Sequence, residues 1–238
     1  MILFYIRHGD PIYNPDSLTP LGQRQAEAVG RRLAMFGVDE VYSSSSNRAI
    51  QTAAPTCEML HLQPTILDWC NESHAWRDLT FITESGGLSW GFYERRARKA
   101  FTSPEMQALG QEWYRHPIFE GTNFESGYKR ILKETRNFLS SLGYVYETDA
   151  GCYRCENPNN KRIALFAHQG FGLAFMSALL GIPYPYFCTH FDICHTGFSA
   201  VSFQENEGYA IPKVLEFSSD AHLYKDGLPL VYNNEIRL

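Results

Sequence analysis

The sequence predicts an α/β fold, a three-layer α/β/α sandwich with a mostly parallel central sheet and an inserted cap region. Short apolar runs rich in strand-forming residues alternate with segments of helical periodicity, which is the order that a parallel sheet covered by helices requires. The run at 162–167 (RIALFA) is almost continuously apolar, as expected for a strand buried on both faces. We expect a single domain over 1–238, with an insertion at about 73–123 and a hairpin or loop excursion at about 143–161.

The first half of the chain shows the alternation clearly. Residues 2–6 (ILFYI) form a short β-rich apolar run and predict a central strand. The helix that follows has Thr19 as its N-cap, Pro20 in its first position and Gly37 at its C-terminal stop. The next predicted elements are a strand over 39–44, a helix over 47–60 and a strand over 64–69.

Residues 70–123 interrupt the pattern and are interpreted as an inserted cap. They contain Trp76, Trp90 and Trp113, a helix start at Ser103-Pro104 and the basic patch ERRARK at 94–99. The patch is interpreted as a solvated helix face. The alternative is a second anion contact, over a pocket that the aromatic insertion closes around the non-reacting part of a substrate.

The alternation returns in the second half. A helix with one apolar face begins at residue 124 and ends before Gly143, where the hairpin or loop excursion begins. The remaining predicted elements are the strand over 162–167, an apolar helix over 169–181, and strands over 197–203 and 209–217.

Composition excludes several classes of protein. Hydrophobic residues make up 44% of the 238 and charged residues 20%, which excludes a disordered or fibrous chain. The net charge of −5 argues against nucleic acid or an anionic membrane as a partner, so an anionic ligand would need local cations. The apolar start Met1–Ile6 is too short for a signal peptide or a membrane span, and we expect a cytoplasmic protein.

The cysteines do not indicate a disulfide framework or a metal centre. Six of them are scattered through the chain, which favours free thiols. Cys152 and Cys155 form a lone CxxC, interpreted as a hairpin turn rather than half of a zinc site. The segment CTHFDICH at 188–195 is likewise interpreted as mixed loop and strand rather than as a metal site.

Ionisable residues follow the ends of the predicted strands. Arg7 and His8 follow the first strand, and Arg48 follows the second. Glu72 comes after the third, and His168 directly follows the buried strand of the second half. Because ligands of open α/β sheets bind beyond the carboxyl ends of the strands, we expect these side chains to share one pocket.

Such a pocket would suit a phosphoryl group. Planar guanidinium groups bind phosphoryl oxygens in pairs and stabilise charge that develops during transfer. Nearby cations would keep His8 neutral, leaving one ring nitrogen to attack phosphorus. A partly buried carboxyl group could protonate the leaving alkoxide. Because the cations can replace metal ions, neither a metal nor a cofactor is predicted.

Several short motifs together resemble the histidine phosphatase superfamily, also called phosphoglycerate-mutase-like. They are Arg7-His8-Gly9, Asn14, LTPLGQRQA at 18–26, Arg48 with Thr52, and His168. The resemblance covers residues 2 to about 223, apart from 73–123 and 143–160. It implies a three-layer α/β/α fold and phosphorylation of His8. It also implies that Arg7, Arg48 and His168 grip the phosphoryl group. Asn14 would add a polar contact, although it could equally be a turn residue before Pro15.

The resemblance leaves the proton donor less clear. Similar family members use a glutamate shortly after the third strand, in a Leu-x-Glu pattern from which Leu67-Asp-Trp-Cys-Asn-Glu72 departs. Glu72, 24 residues after Arg48, is the predicted acid, with Glu84 and Asp68 as alternatives. The other branch of the superfamily places its acid directly after the second histidine, where this chain has Gln169. Branch 1 is therefore indicated.

The leading functional hypothesis is a metal-independent phosphomonoesterase acting on a small phosphorylated metabolite through a phosphohistidine at His8. A phosphoglycerate-mutase-type transfer is the first alternative, weakened because AIQTAAPT follows Arg48 where the family's mutases carry a longer arginine-rich stretch. A non-catalytic phospholigand-binding module is the second. The expected partner is a phosphate ester or inorganic phosphate, and the sequence indicates no oligomeric state.

Overall fold

The protein is described from a computed structural model that covers residues 1–233. Its strands, in chain order, are β1 (Ile2–Arg7), β2 (Pro11–Tyr13), β3 (Asp16–Leu18), β4 (Glu40–Ser44), β5 (Thr65–Leu67), β6 (Thr80–Ile82), β7 (Leu88–Trp90), β8 (Tyr144–Glu147), β9 (Cys152–Cys155), β10 (Arg162–Ala167), β11 (Phe198–Ser202), β12 (Glu205–Asn206), β13 (Tyr209–Ala210) and β14 (Lys213–Ser219). The helices are α1 (Pro20–Phe36), α2 (Asn47–Leu60), α3 (Glu72–Asp78), α4 (Arg95–Phe101), α5 (Pro104–Leu109), α6 (Phe124–Ser141), α7 (Gln169–Leu180), α8 (Tyr184–His190) and α9 (Ala221–Lys225). Short 3₁₀ turns lie at Asp68–Cys70, Gly110–Arg115 and Pro117–Phe119.

A six-stranded sheet forms the centre of the fold, in the order β14-β11-β1-β10-β4-β5. Strands β1, β10, β4 and β5 pair in parallel, and β11 runs antiparallel to both of its neighbours. Alternate residues of β1 point to opposite faces: Leu3 and Tyr5 join the core under α6 and α7, while Phe4 and Ile6 join the core under α1 and α2. The predicted α/β/α sandwich with a mostly parallel sheet is confirmed.

The register of the parallel strands aligns their carboxyl ends. Arg7 of β1 lies beside Ala167 of β10, and the next strands continue at the same level, with Ser44 of β4 beside Leu67 of β5. All four strands therefore stop at one edge, and the segments that follow them begin there. This is the edge at which the sequence predicts a pocket.

Local signals place α1 as predicted. The Thr19 hydroxyl accepts a hydrogen bond from the Gly22 amide at 3.0 Å, Pro20 opens the helix, and Gly37 closes it with φ of 75°. The side-chain cap satisfies one amide that has no partner within the helix, and the left-handed conformation at Gly37 costs little without a Cβ. The start of α1 therefore lies against the loop that follows β1, where Thr19 contacts Asp10.

The inserted segment packs into the same core as the sheet. It contains α3, the β6–β7 hairpin, α4 and α5. Trp113 is fully buried and meets Phe119 and Phe124 with ring centroids 5.0 and 6.5 Å apart. These rings belong to the hydrophobic cluster that includes Leu165 of the central sheet. The four basic side chains of the 94–99 patch are exposed on α4, as the solvated-face interpretation predicts.

Two expectations for the later strands need correction. The strand predicted over 209–217 is two strands, because Pro212 has no amide hydrogen for a sheet ladder. Its first part, β13, pairs with β9 in a four-stranded sheet, and β14 pairs with β11. The CxxC lies along β9 of the β8–β9 hairpin rather than in the turn.

The segment 188–195 also differs from its expected mixture of loop and strand. Its first three residues end α8, and the rest forms the loop before β11. Within residues 1–233 no cluster of three or more His, Cys, Asp or Glu side chains could hold a metal ion, and all six cysteines are free. None of the helices in this range has the length and apolar character needed to cross a membrane.

Candidate active site

A cavity of about 870 Å³ opens over the carboxyl edge of the parallel strands. Its walls come from the end of β1, the β2–β3 hairpin, the start of α2, α3, the β7 region and the start of α7. Four of the predicted residues line it: Arg7, His8, Arg48 and Glu72. His168 is fully buried and lies immediately behind them rather than in the lining.

His8 is held in one tautomer by the backbone. Its Nδ1 lies 2.7 Å from the carbonyl oxygen of Gly9. A carbonyl oxygen only accepts hydrogen bonds, so Nδ1 carries the proton and a neutral ring has a lone pair on Nε2. Burial, followed by His168, Arg7 and Arg48, lowers the pKa of His8 well below its ordinary value. The ring is therefore neutral at pH 7, and Nε2 is free to act as a nucleophile.

Gly9 gives His8 its position by allowing two segments to approach closely. A Cβ at Gly9 would lie 2.6 Å from the carbonyl oxygen of Gly22 in α1. The Gly9 amide donates to the Thr52 hydroxyl at 3.0 Å, and that hydroxyl donates to the Arg48 carbonyl at 2.7 Å. The glycine of the RHG triplet thus ties the end of β1 to both flanking helices.

Arg7 is a buried cation with neutral partners. Its guanidinium donates to the Ile193 carbonyl and the Asn233 side-chain oxygen, each at 2.5 Å, and its Nε has no partner. Among residues 1–233 no carboxylate lies within ion-pair distance of it. A buried charge without a counter-ion is unfavourable, so the cavity at Arg7 favours an anion.

Arg48 and the neutral ring of His168 form the second part of the site. Arg48 donates to Asp16 at 2.7 Å and to Nδ1 of His168 at 3.2 Å. Since Nδ1 accepts, Nε2 of His168 carries the proton and donates to the Ser44 hydroxyl at 2.8 Å. Burial and the two arginines lower the pKa of His168 well below its ordinary value. Its ring lies edge-on to that of His8, with centroids 5.2 Å apart.

Glu72 begins α3 and reaches the start of α7. Its carboxylate accepts hydrogen bonds from the Gly170 amide at 3.0 Å and the Phe171 amide at 2.9 Å. Burial raises the pKa of Glu72, although the two amides and the nearby arginines act in the opposite direction. A raised pKa favours the protonated form that a general acid requires.

The two alternative acids lie outside the cavity. The Asp68 side chain is 73% exposed and is occupied by Ser45 and His74. Glu84 is exposed in the connection between β6 and β7. Of the three carboxylates considered, Glu72 alone lines the cavity.

Asn14 lies away from the predicted phosphate contact. Tyr13 pairs with Asp16 across the β2–β3 hairpin, so Asn14 and Pro15 form its two-residue tip. Asn14 is exposed there and does not line the cavity, whereas Tyr13 and Asp16 do. The turn interpretation matches this position, because Asn14 lies in the two-residue turn that joins the paired strands.

Several site residues were not found by sequence reasoning. The Gln169 amide donates to the Tyr93 hydroxyl at 2.7 Å and to Asp192, and its oxygen accepts from Asn233 at 3.0 Å. Asn233 also binds Arg7, so it joins the two sides of the site. The sequence marked Gln169 only as the residue that stands where the other branch of the superfamily places its acid, and not as a contact residue of the site. Asn233 carried no local signal.

His195 also lies at the site without having been assigned to it. It is buried, with its ring centroid 5.9 Å from that of His8 and its Nδ1 3.4 Å from Asp10. Burial and Arg7 lower the pKa of His195 to about 3. A third neutral imidazole therefore packs beside His8.

Comparisons with known proteins place this chain among several relatives. The chain is 27% identical over 236 residues to the protein named "Probable phosphoglycerate mutase GpmB" of Yersinia enterocolitica, a match covering 93% of this chain and 94% of that protein. It also matches 101 residues of the PE-PGRS family protein PE_PGRS11 of Mycobacterium tuberculosis at 34% identity, 37% of this chain but only 17% of that protein. Among solved structures, phosphoserine phosphatase from Entamoeba histolytica, in complex with 3-phosphoglyceric acid, has a TM-score of 0.59 and 17% identity over 93% of this chain and 98% of that one.

The family assignment follows from a longer match. The family profile described as histidine phosphatase superfamily (branch 1) matches residues 3–133, more than half of the chain. That range includes the RHG triplet, Arg48 and Glu72. With His8, the two arginines and the second histidine gathered at one sheet edge, the chain belongs to the histidine phosphatase superfamily, branch 1.

Proposed function

We propose that this protein is a metal-independent phosphomonoesterase that hydrolyses a small phosphorylated metabolite through a phosphohistidine on His8. The observation that carries the proposal is the position of Arg7 beside His8: a buried cation with no carboxylate partner among residues 1–233 lies beside a neutral imidazole with an unprotonated Nε2. Arg7 attracts an anion, and Nε2 of His8 can attack its phosphorus atom. A phosphate monoester supplies both the charge and the electrophile.

The first step transfers the phosphoryl group to the enzyme. Nε2 of His8 attacks phosphorus as the bond to the ester oxygen breaks, and Glu72 gives its proton to the departing alkoxide. Arg7 and Arg48 bind the non-bridging oxygens, whose charge they stabilise in place of metal ions. His168 orients Arg48 through their 3.2 Å hydrogen bond.

The second step restores the enzyme. Glu72, now a carboxylate, accepts a proton from a water molecule whose oxygen attacks the phosphohistidine. The P–N bond breaks, its electron pair returns to Nε2, and inorganic phosphate leaves. Because Nδ1 keeps its proton on the Gly9 carbonyl throughout, His8 is neutral again after each turnover.

The test is hydrolysis of p-nitrophenyl phosphate in the presence of EDTA. We expect the wild-type enzyme to retain its activity and His8→Ala to lose at least about a thousandfold, because covalent catalysis is then impossible. His190→Ala, which removes an exposed histidine on α8, is the matched control. Alkaline quenching followed by intact-mass measurement should show one added phosphoryl group on the wild type and none on His8→Ala. An active His8→Ala enzyme would refute the mechanism.

A mutase remains the second candidate, because the relative from Yersinia enterocolitica bears a mutase name. Phosphoryl transfer to a second alcohol would need the same phosphohistidine but a cavity that retains the reaction partners and excludes water. Conversion of 3- to 2-phosphoglycerate that depends on bisphosphoglycerate and is faster than hydrolysis would favour it. Binding of phosphate esters without either reaction would favour a non-catalytic module.

A further inference from the structure

We propose that the alcohol portion of the substrate is uncharged and carries an aromatic or similarly planar apolar group that packs against Trp76 and Trp90. This inference rests on the proposed phosphatase function, because it assigns the leaving group of that reaction. It follows from the position of the proton donor, the aromatic surface beside it and the charges in the cavity.

The proton donor fixes the side of the cavity on which the leaving alcohol lies. Glu72 can protonate the ester oxygen only from hydrogen-bond distance, so the alcohol must extend from phosphorus toward α3. Trp76 lies four residues after Glu72 on that helix, and side chains four residues apart share one helix face. Both residues line the cavity. The carbon skeleton of the alcohol therefore meets the Trp76 indole.

The aromatic surface has one fixed part and one accessible part. Trp90 is 6% exposed, and its ring stacks on Phe92 with centroids 5.5 Å apart. It also packs on α7, where a Cβ at Gly170 would lie only 2.4 Å from the indole. Trp76 meets Trp90 edge to face at 5.0 Å and is itself 36% exposed. Such a pair offers an apolar wall for a flat ring.

The charges in the cavity disfavour a second anionic group. Among residues 1–233 the arginine and lysine side chains that line it are Arg7 and Arg48, both committed to the phosphoryl group, and Arg48 is also paired with Asp16. The basic side chains of the 94–99 patch do not line the cavity. A carboxylate on the alcohol would be repelled by Asp16, and among residues 1–233 no further cation lines the cavity to receive it. An uncharged alcohol avoids that repulsion.

Three alkyl phosphates test the inference: 2-phenylethyl phosphate, ethyl phosphate and O-phosphoserine. Because each of them releases an alkoxide, their leaving groups need a proton to a similar degree. We expect kcat/KM for 2-phenylethyl phosphate to exceed that for ethyl phosphate at least tenfold, because the phenyl ring is removed from water against the indoles. O-phosphoserine should be the poorest of the three, because its carboxylate and ammonium groups would lose water against the indoles and no further cation among residues 1–233 lines the cavity to receive the carboxylate. Equal values for the two uncharged esters, or a preference for O-phosphoserine, would overturn the inference.

Variants of Trp76 test whether the preference for 2-phenylethyl phosphate over ethyl phosphate depends on the Trp76–Trp90 pair. Trp76→Ala should reduce the ratio of kcat/KM between 2-phenylethyl and ethyl phosphate toward one, and Trp76→Phe should keep most of it. Tyr224→Ala is the matched control, because it removes an aromatic side chain that is 87% exposed on α9 and lies outside the cavity. A ratio unchanged by Trp76→Ala would contradict the assignment.

A binding experiment separates this inference from the proposed function. His8→Ala cannot form the covalent intermediate, so calorimetric titration of that variant with the same three esters reports binding alone. Tighter binding of 2-phenylethyl phosphate would support the aromatic wall even if the wild type hydrolysed no ester, in which case only the catalytic proposal would fail. Equal binding of all three esters would refute the aromatic wall whatever the activity.

Discussion

At the scale of single residues, burial and the two arginines that favour an anion also keep His8 neutral. An imidazolium at His8 would add a positive charge beside Arg7 and Arg48 in a buried site, and the pKa of His8 is lowered accordingly. Each unit of such lowering corresponds to about 1.4 kcal/mol favouring the neutral ring. The Gly9 carbonyl then decides which nitrogen holds the proton. Neutrality and tautomer are thus set by different neighbours.

Glu72→Gln is expected to slow esters with poor leaving groups more than p-nitrophenyl phosphate, because p-nitrophenolate departs without a proton. The pH profile gives a second readout. With its pKa raised, Glu72 is protonated at lower pH, and kcat/KM for alkyl esters should fall as pH rises through that pKa. The fall should be weaker in Glu72→Gln, while the ionisation of the substrate near pH 6 affects both enzymes alike.

Two controls accompany this comparison. Glu84→Gln changes an exposed carboxylate outside the cavity and should leave both esters unaffected. Equal slowing of aryl and alkyl esters by Glu72→Gln would instead assign Glu72 a structural role at the start of α7.

At the scale of elements, the start of α7 organises the acid side of the site. Its first amides have no partners within the helix, and Glu72 binds two of them. The positive end of the helix favours the carboxylate form, in opposition to burial. Gly170 permits Trp90 to lie against the same turn. One helix end therefore positions both the Glu72 carboxyl group and the Trp90 indole.

Gly170→Ala is expected to destabilise the protein by about 1–3 kcal/mol, as overpacked cores commonly do, although alanine favours helices by about 1 kcal/mol over glycine. The new Cβ would lie 2.4–2.8 Å from the Trp90 ring, so the indole or α7 must move. Urea denaturation measures the free energy of unfolding. In a double-mutant cycle, the cost of Gly170→Ala should shrink when Trp90→Leu is present. A Gly170→Ala protein more stable than the wild type would show that the contact is loose.

At the scale of the whole molecule, burial of histidines couples stability to pH. The described part of the chain buries four with lowered pKa: His8, His168, His195 and His222. The pKa of His195 is about 3 and that of His222 about 4. In the unfolded chain these rings take up protons below about pH 6.5. In the folded protein they stay neutral until the pH falls to their lowered pKa values. The unfolded state is therefore favoured as the solution becomes acidic.

We expect the free energy of unfolding to be retained above about pH 6.5 and to fall below it, by up to about 1.4 kcal/mol per pH unit for each of these histidines. The raised pKa of Glu72 acts in the opposite direction, but it is one group against four histidines. Urea denaturation at pH 7.5, 6.5 and 5.5 measures the slope. His222→Gln, which changes a histidine that does not line the cavity, should reduce the slope by the contribution of one titrating group. Constant stability from pH 7.5 to 5.5 would contradict this account.

The sequence by itself determined the elements and most of the site. Local signals such as the Thr19 cap and the buried run 162–167 depend on neighbouring residues, and they marked α1 and β10 correctly. The residues at strand ends could also be read, because parallel strands in one sheet present their carboxyl ends to one edge. Arg7, His8, Arg48 and Glu72 reached the cavity by that rule.

Only the tertiary structure decided which other groups complete the site. Asn233 and His195 approach Arg7 and His8 from distant parts of the chain, through loops whose path has no periodicity to reveal it. Asn14 lies at the tip of a hairpin rather than in the cavity lining, and the inserted segment contributes Trp76 and Trp90 to that lining. Such contacts depend on the packing of remote segments, and a pattern of neighbouring residues carries no information about them.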